Sequence, residues 1–167
     1  MIKKIKYKKF NFLIFKKRLP NGVTTKLEMI DHPGAVLIVP FLSKNKLILL
    51  RQYRAAFDQY LFEFPAGTLE KGESPLSCAR RELAEETGFA ASKFIRLGKI
   101  YPVPGYSNEV IFIYKAENLR PQKARKDEDE VLRPVIFSKN EIISLFKKRR
   151  IVDAKTICGM ALSRLIS

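Results

Sequence analysis

Histidine and cysteine are scarce in this chain, and long apolar runs are missing altogether. Of 167 residues, two are cysteine and one is histidine. Cys78 and Cys158 stand far apart, which argues against a disulfide framework and fits a reducing, cytoplasmic setting. The single histidine, His32, precedes Pro33 in a turn and reads as structural rather than catalytic. No run of 18 or more apolar residues occurs, so neither a transmembrane helix nor a membrane partner is expected. The opening MIKKIKYKKFNFLIFKKRLP is basic, but its apolar stretch FNFLIF is short and lacks a small-residue cleavage site. It is expected to be structure and not a signal peptide. Acids are also few, 17 Asp plus Glu against 32 Lys plus Arg, a net charge of +15. Such a field draws anionic ligands, either a small nucleotide or nucleic acid. Residues 1–18 carry Lys3, Lys4, Lys6, Lys8, Lys9, Lys16, Lys17 and Arg18 without an acid. The other lysines are scattered, and aromatic interleaving is thin, so nucleic acid is not expected as a partner.

What is present suffices for one domain of ordinary size, since 46% of the residues are hydrophobic. Residues 7–19 and 23–30 read as strands around Leu19-Pro20-Asn21-Gly22, a hairpin turn. Asp31-His32-Pro33-Gly34 breaks the second strand. Residues 35–42, AVLIVPFL, are nearly all apolar, as in a buried strand. Further strands are expected at 47–54, 61–64, 94–101, 109–115 and 131–137, with a rigid turn at Pro102-Val103-Pro104-Gly105. Residues 123–130, KARKDEDE, form a charged loop. Ser138 and Glu141 carry a capping-box signature, and Asp153 is placed to cap a last helix through Leu165.

Residues 67–88, GTLEKGESPLSCARRELAEETG, hold the chemistry. Ser74 and Pro75 open a helix, and Gly88 closes it in a left-handed conformation. Leu76, Ala79 and Leu83 share its buried face, and Cys78 reads as a small apolar packing residue. Glu82, Glu85 and Glu86 are spaced i, i+3, i+4 and so share another face. Packed carboxylates repel unless a cation lies between them, and a hard divalent ion, Mg²⁺ or Mn²⁺, takes oxygen ligands. Acidic helix faces are often merely solvated. Here the fixed types at fixed spacing match by chance on the order of once in 10⁸ starts, which favours a metal site.

Gly67, Glu73, Arg81, Glu82, Leu83, Glu85, Glu86 and Gly88 together match the Nudix box, and the chain resembles the Nudix hydrolase superfamily. The resemblance implies an α/β fold, a Nudix-type α/β/α sandwich with a mixed sheet, here with an N-terminal β-hairpin element. It implies hydrolysis of a nucleoside diphosphate linked to another moiety. Glu82 and Glu86 would be the main metal ligands, Glu85 would assist, and the carbonyl of Ala66 would complete the shell. Arg81 and Glu73 look like the pair that orients the carboxylates, and an arginine within reach of glutamates keeps them ionised. Family members place a glutamate in a loop over the metals as general base, and Glu128 or Glu130 fits that position.

Other segments resemble the ADP-ribose pyrophosphatase and nucleoside-diphosphate-sugar hydrolase subgroup. They are Glu63-Phe64-Pro65-Ala66-Gly67, Arg51-Gln52-Tyr53-Arg54, His32-Pro33-Gly34-Ala35-Val36 and the proline turn that includes Pro104. The likeness spans residues 20–160. Arg51 and Arg54 point to opposite faces of a strand, so at most one meets the pocket of its own subunit. Either can clamp a diphosphate, stack on adenine or form a surface ion pair. Glu63 meets a ribose hydroxyl or an arginine. Glu109 faces the substrate or solvent at a strand edge. Tyr53, Tyr101 and Tyr106 stack on a base or pack at an edge. The subgroup pairs two chains through an N-terminal β element, so residues 1–33 are expected to make a homodimer and 34–167 to form the hydrolase domain. The expected reaction is Mg²⁺-dependent hydrolysis of ADP-ribose to AMP and ribose 5-phosphate, or of a related sugar nucleotide. GDP-mannose, a dinucleoside polyphosphate or 5′-end RNA hydrolysis, and a non-catalytic nucleotide or nucleic-acid sensor, stand as alternatives.

Overall fold

A computed structural model describes residues 3–7, 10–124 and 130–166. Among the described residues ten strands and three helices follow one another. Strands β1 (Lys3–Lys6), β2 (Asn11–Arg18) and β3 (Thr24–Asp31) form an antiparallel sheet in that order. Arg18 pairs with Thr24, so the hairpin loop is residues 19–23, and Gly22 takes a φ of 84° that suits glycine. Ile30 then bridges to Ser107, and Asn108 bonds both Asp31 and the backbone of His32, tying this sheet to the rest.

Strand β4 (Ala35–Ser43) is the axis of the second sheet. It runs parallel to β9 (Ile111–Pro121), which pairs antiparallel with β8 (Phe89–Ile100). On its other side β4 meets β5 (Lys46–Arg54) only near their shared hairpin, at Phe41–Leu47 and Ser43–Lys46. The two strands then splay. Strand β6 (Gln59–Glu63) pairs with β5 and β7 (Ala66–Thr68) with β4, filling the gap. Strand β10 (Leu132–Ser138) closes the far edge against β5. The sheet is therefore mixed.

Alternation along β4 explains why its sequence is apolar throughout. Ala35, Leu37, Val39 and Phe41 face one cluster, with Leu47, Leu49, Ile113 and Phe64. Helices α2 (Lys139–Lys147) and α3 (Ala154–Leu162) cover it through Ile142 and Met160. Val36 and Ile38 face the other cluster, closed by Cys78, Ala79 and Leu83 of helix α1 (Pro75–Thr87). Both faces are covered, so the architecture is the α/β/α sandwich with mixed sheet. Burying a leucine or isoleucine in such a layer contributes about 1.5–3 kcal/mol.

Several elements differ from the expected bounds, β1, β8, β9 and α3 among them. Strand β8 begins directly after Gly88 and β9 runs to Pro121, because the ladder Phe89–Pro121 to Ile100–Ile111 continues through residues whose sequence does not alternate. Strand β1 forms on β2 although KKIK is wholly exposed. Helix α3 stops at Leu162 rather than Leu165, since Arg164 turns to a φ of 59°.

Candidate active site

Helix α1 is set by its ends. Ser74 Oγ accepts the backbone N–H of Ser77 at 3.1 Å, Pro75 follows, and Gly88, at φ 75°, returns its N–H to Ala84 at 2.9 Å. Its apolar face pins the helix to β4, and this leaves Arg81, Glu82 and Glu85 turned to the loop 66–73. Arg81 is the hub. Its Nε and Nη2 donate to the two oxygens of Glu73 at 3.0 and 2.9 Å. Nη1 donates to Glu82 Oε1 at 2.7 Å and Glu85 Oε2 at 3.0 Å, and Nη2 also reaches the carbonyl of Thr68. The hydrogen bonds from Arg81 hold the Glu73 carboxyl down at about 2.

Glu82 and Glu86 go the other way. Burial pushes Glu82 up to about 7, against the pull of Arg81. Burial, then the charge of Glu82, pushes Glu86 well above its ordinary range, although Glu86 Oε2 accepts the N–H of Ala66 at 2.8 Å. Glu130 adds repulsion to both. One guanidinium contacts Glu73, Glu82 and Glu85 together, so the cluster is short of positive charge. This chemistry fits a divalent cation, whose charge restores both carboxylates to their ionised form. Gly67 fits it as well: a Cβ there would fall inside the Glu82 carboxylate, so the loop lies directly on it. Among the described residues no three acid, histidine or cysteine side chains already converge as a cation cage, and Arg81 takes up one oxygen each of Glu82 and Glu85.

These groups border a cleft of about 650 Å³ between the splayed strands, the middle of α1 and the start of α3. Of the residues singled out from the sequence, Arg54, Ala66, Arg81, Glu82, Glu109 and Glu130 line it. Glu85 and Glu73 flank it through Arg81. Glu86 lies beneath it, buried. Glu63 lies beneath it too, only 1% exposed, so the arginine alternative describes its contacts and the ribose one does not. It accepts from Arg54 Nε and Nη2 at 2.7 and 2.6 Å, and from Lys155. Burial raises its carboxyl, but Arg54 and Lys155 outweigh that and hold it low. Arg51 is not brought to the cleft: its guanidinium stacks 3.8 Å over the ring of Tyr60. Pro104 is exposed on its turn, and Pro102 lines the cleft instead. Glu128 lies outside the described residues. His32 accepts the N–H of Gly34 on Nδ1 at 3.1 Å, as a turn residue does.

Gln52, Asp153 and Lys155 also line the cleft and were not anticipated as site residues. Gln52 was legible, since it shares strand parity with Arg54. Asp153 was visible only as a helix cap, and nothing in the sequence joins Lys155 to Glu63.

Fold and box together define the class. The chain belongs to the Nudix hydrolase family, and the NUDIX domain profile matches residues 31–158. Among its relatives, the ADP-ribose pyrophosphatase of Bacillus subtilis (strain 168) is 38% identical over 140 residues, covering 83% of this chain and 76% of the relative. The GDP-mannose pyrophosphatase of Yersinia enterocolitica (serotype O:8 / biotype 1B) is 34% identical over 133 residues, covering 74% and 69%. A solved structure described as an ADP compounds hydrolase superposes with a TM-score of 0.83 at 28% identity, covering 98% of this chain and 90% of that one.

Proposed function

We propose that the chain hydrolyses the pyrophosphate bond of ADP-ribose to AMP and ribose 5-phosphate, or that of a closely related nucleoside diphosphate sugar. The observation that carries this reading is one cleft of about 650 Å³ in which Arg81 and Glu82 of the box meet Arg54 and Lys155. Its size suits one nucleotide sugar. The kinship with an ADP-ribose pyrophosphatase supports the choice of base and sugar.

Mg²⁺ is the expected cation, with Mn²⁺ an alternative. Glu82 and Glu86 would hold it, helped by Glu85 and the carbonyl of Ala66. Bound there, such an ion supplies positive charge to phosphate oxygens and acidifies water. Arg81 and Glu73 keep the carboxylates aimed. Arg54, fixed by Glu63, binds the diphosphate, and Glu109 accepts from a ribose hydroxyl. Glu130 takes the proton of the attacking water; Glu128 is the alternative base. The water oxygen bonds to one phosphorus, the bridging oxygen leaves with the other phosphate, and two phosphomonoesters result.

We further propose a homodimer through the N-terminal sheet, in which Arg51 serves the partner's adenine. A cytoplasmic location is supported by the unpaired thiols of Cys78 and Cys158. Among the described residues no helix is long and apolar enough to cross a membrane.

A second reading, GDP-mannose hydrolysis, is favoured by the Yersinia relative. A panel with Mg²⁺ decides: ADP-ribose, GDP-mannose, a dinucleoside tetraphosphate and 5′-triphosphate RNA. AMP release fastest from ADP-ribose is expected. Turnover of RNA or tetraphosphate with neither sugar nucleotide cleaved would reject the proposal. Affinity without product in every lane would mark a sensor.

A further inference from the structure

The strand end that leads into the box is gripped residue by residue. Glu63 is held through its side chain by Arg54 of β5 and Lys155 of α3. The N–H of Phe64 donates to Thr156 Oγ1 of α3 at 2.9 Å. The carbonyl of Pro65 accepts from Ile38 N of β4 at 2.8 Å. The N–H of Ala66 donates to Glu86 Oε2 of α1 at 2.8 Å. Four consecutive residues thus answer to four different elements.

Within this run Thr156 has two bonds of opposite sense. Its hydroxyl accepts from Phe64 and donates to Asp153 Oδ2 at 2.6 Å, while Asp153 also caps α3 by accepting Thr156 N at 2.9 Å. Lys155 joins Asp153 Oδ1, at 2.8 Å, to Glu63. Thr156 is fully buried, so no water competes for its hydroxyl. The first turn of α3 needs no hydroxyl at that place, since Asp153 already caps it through Thr156 N; valine would pack equally well but leave the buried Phe64 N–H without a partner.

We propose that Thr156 is a positioning residue for the candidate metal site, acting from α3 through Phe64 and Ala66 on the carboxylate of Glu86. The role rests on the reading of Glu82 and Glu86 as cation ligands. The hydroxyl fixes the height of Phe64. That fixes Ala66 two residues on, and Ala66 fixes which oxygen of Glu86 is tied down and which is left for a cation. Helix α3 is remote from the box in sequence, yet its first turn sets the geometry of a box ligand.

The test compares Thr156→Val, Thr156→Ser and Asp153→Asn in the full chain. Asparagine keeps the helix cap and is a variant that folds if valine at 156 does not. The first readout is amide hydrogen exchange at Phe64 and Ala66 without metal. The second is Mn²⁺ binding without substrate, followed by electron paramagnetic resonance. Thr156→Val is expected to lose protection at both amides and to bind Mn²⁺ about tenfold more weakly, the low end of what is lost when a ligand's orienting contacts are disturbed. Asp153→Asn is expected to move both readouts less in the same direction, and Thr156→Ser to restore both. Wild-type protection at Ala66 and wild-type Mn²⁺ affinity in a folded Thr156→Val would overturn the proposal, as would a serine variant that behaves like valine. Should wild type itself bind no Mn²⁺, the cation reading of the box falls; that result is separable, because wild type and variant are then equally silent.

Discussion

Gly67 is the residue at which the box is least forgiving. Any side chain there would displace the Glu82 carboxylate from the loop. Gly67→Ala is therefore expected to lower kcat about 100-fold, the scale of an ångström's misplacement, while leaving the melting temperature nearly unchanged. Glu82 carries a second test. Its carboxyl stands at about 7 in the folded chain against an ordinary 4.5, so the folded state binds the proton more tightly. Stability present below pH 4.5 is then lost as pH rises through about 7, on the order of 3 kcal/mol in the absence of metal. Thermal melts in chelator should show this fall in wild type, and Glu82→Gln should flatten it. If the two curves are parallel, burial of Glu82 is not the cause. At this scale the box was legible because its residues are close in sequence and helical spacing alone gathers them. Arg54 and Arg51 were separable only by parity, which says that they part and not which one faces inward. Of the Arg54–Glu63–Lys155 contact, an arginine partner was foreseeable and Lys155 was out of reach, because residue 155 meets residue 63 only once α3 is docked.

Helix α1 depends on its two ends. Gly88 sits at φ 75°, where a β-carbon is disfavoured, so Gly88→Ala should cost about 1 kcal/mol. A fall of roughly 2–4 °C in melting temperature would show it, and no fall would mean that the helix end relaxes freely. The cap residues Ser74, Ser138 and Asp153 were all readable, since capping is local chemistry: each accepts an N–H three residues on. Strand ends were less readable. The ladder between β8 and β9 persists to Phe89–Pro121 because the partner strand is there to receive it, a fact about pairing and not about either segment alone. The splay of β4 from β5, which makes room for the cleft, likewise follows from β6 and β7 wedging between them.

For the whole molecule, the excess of base should speed the arrival of an anionic substrate. With a net charge of +15, kcat/KM for the sugar nucleotide should fall roughly tenfold from low to high salt while kcat holds. Sedimentation should give twice the 19.2 kDa chain mass; a mass of one chain would remove the proposed dimer. The layer order was foreseeable from one helix set among strands and two at the end, but not which strands become neighbours. That pairing has a consequence for biosynthesis. Strand β4 finds its parallel mate only at residues 111–116, and the entire box lies in the segment between. A growing polypeptide therefore carries its glutamates out of the ribosomal tunnel well before the frame that seats them can assemble, and until that late strand emerges they have no cavity in which to work.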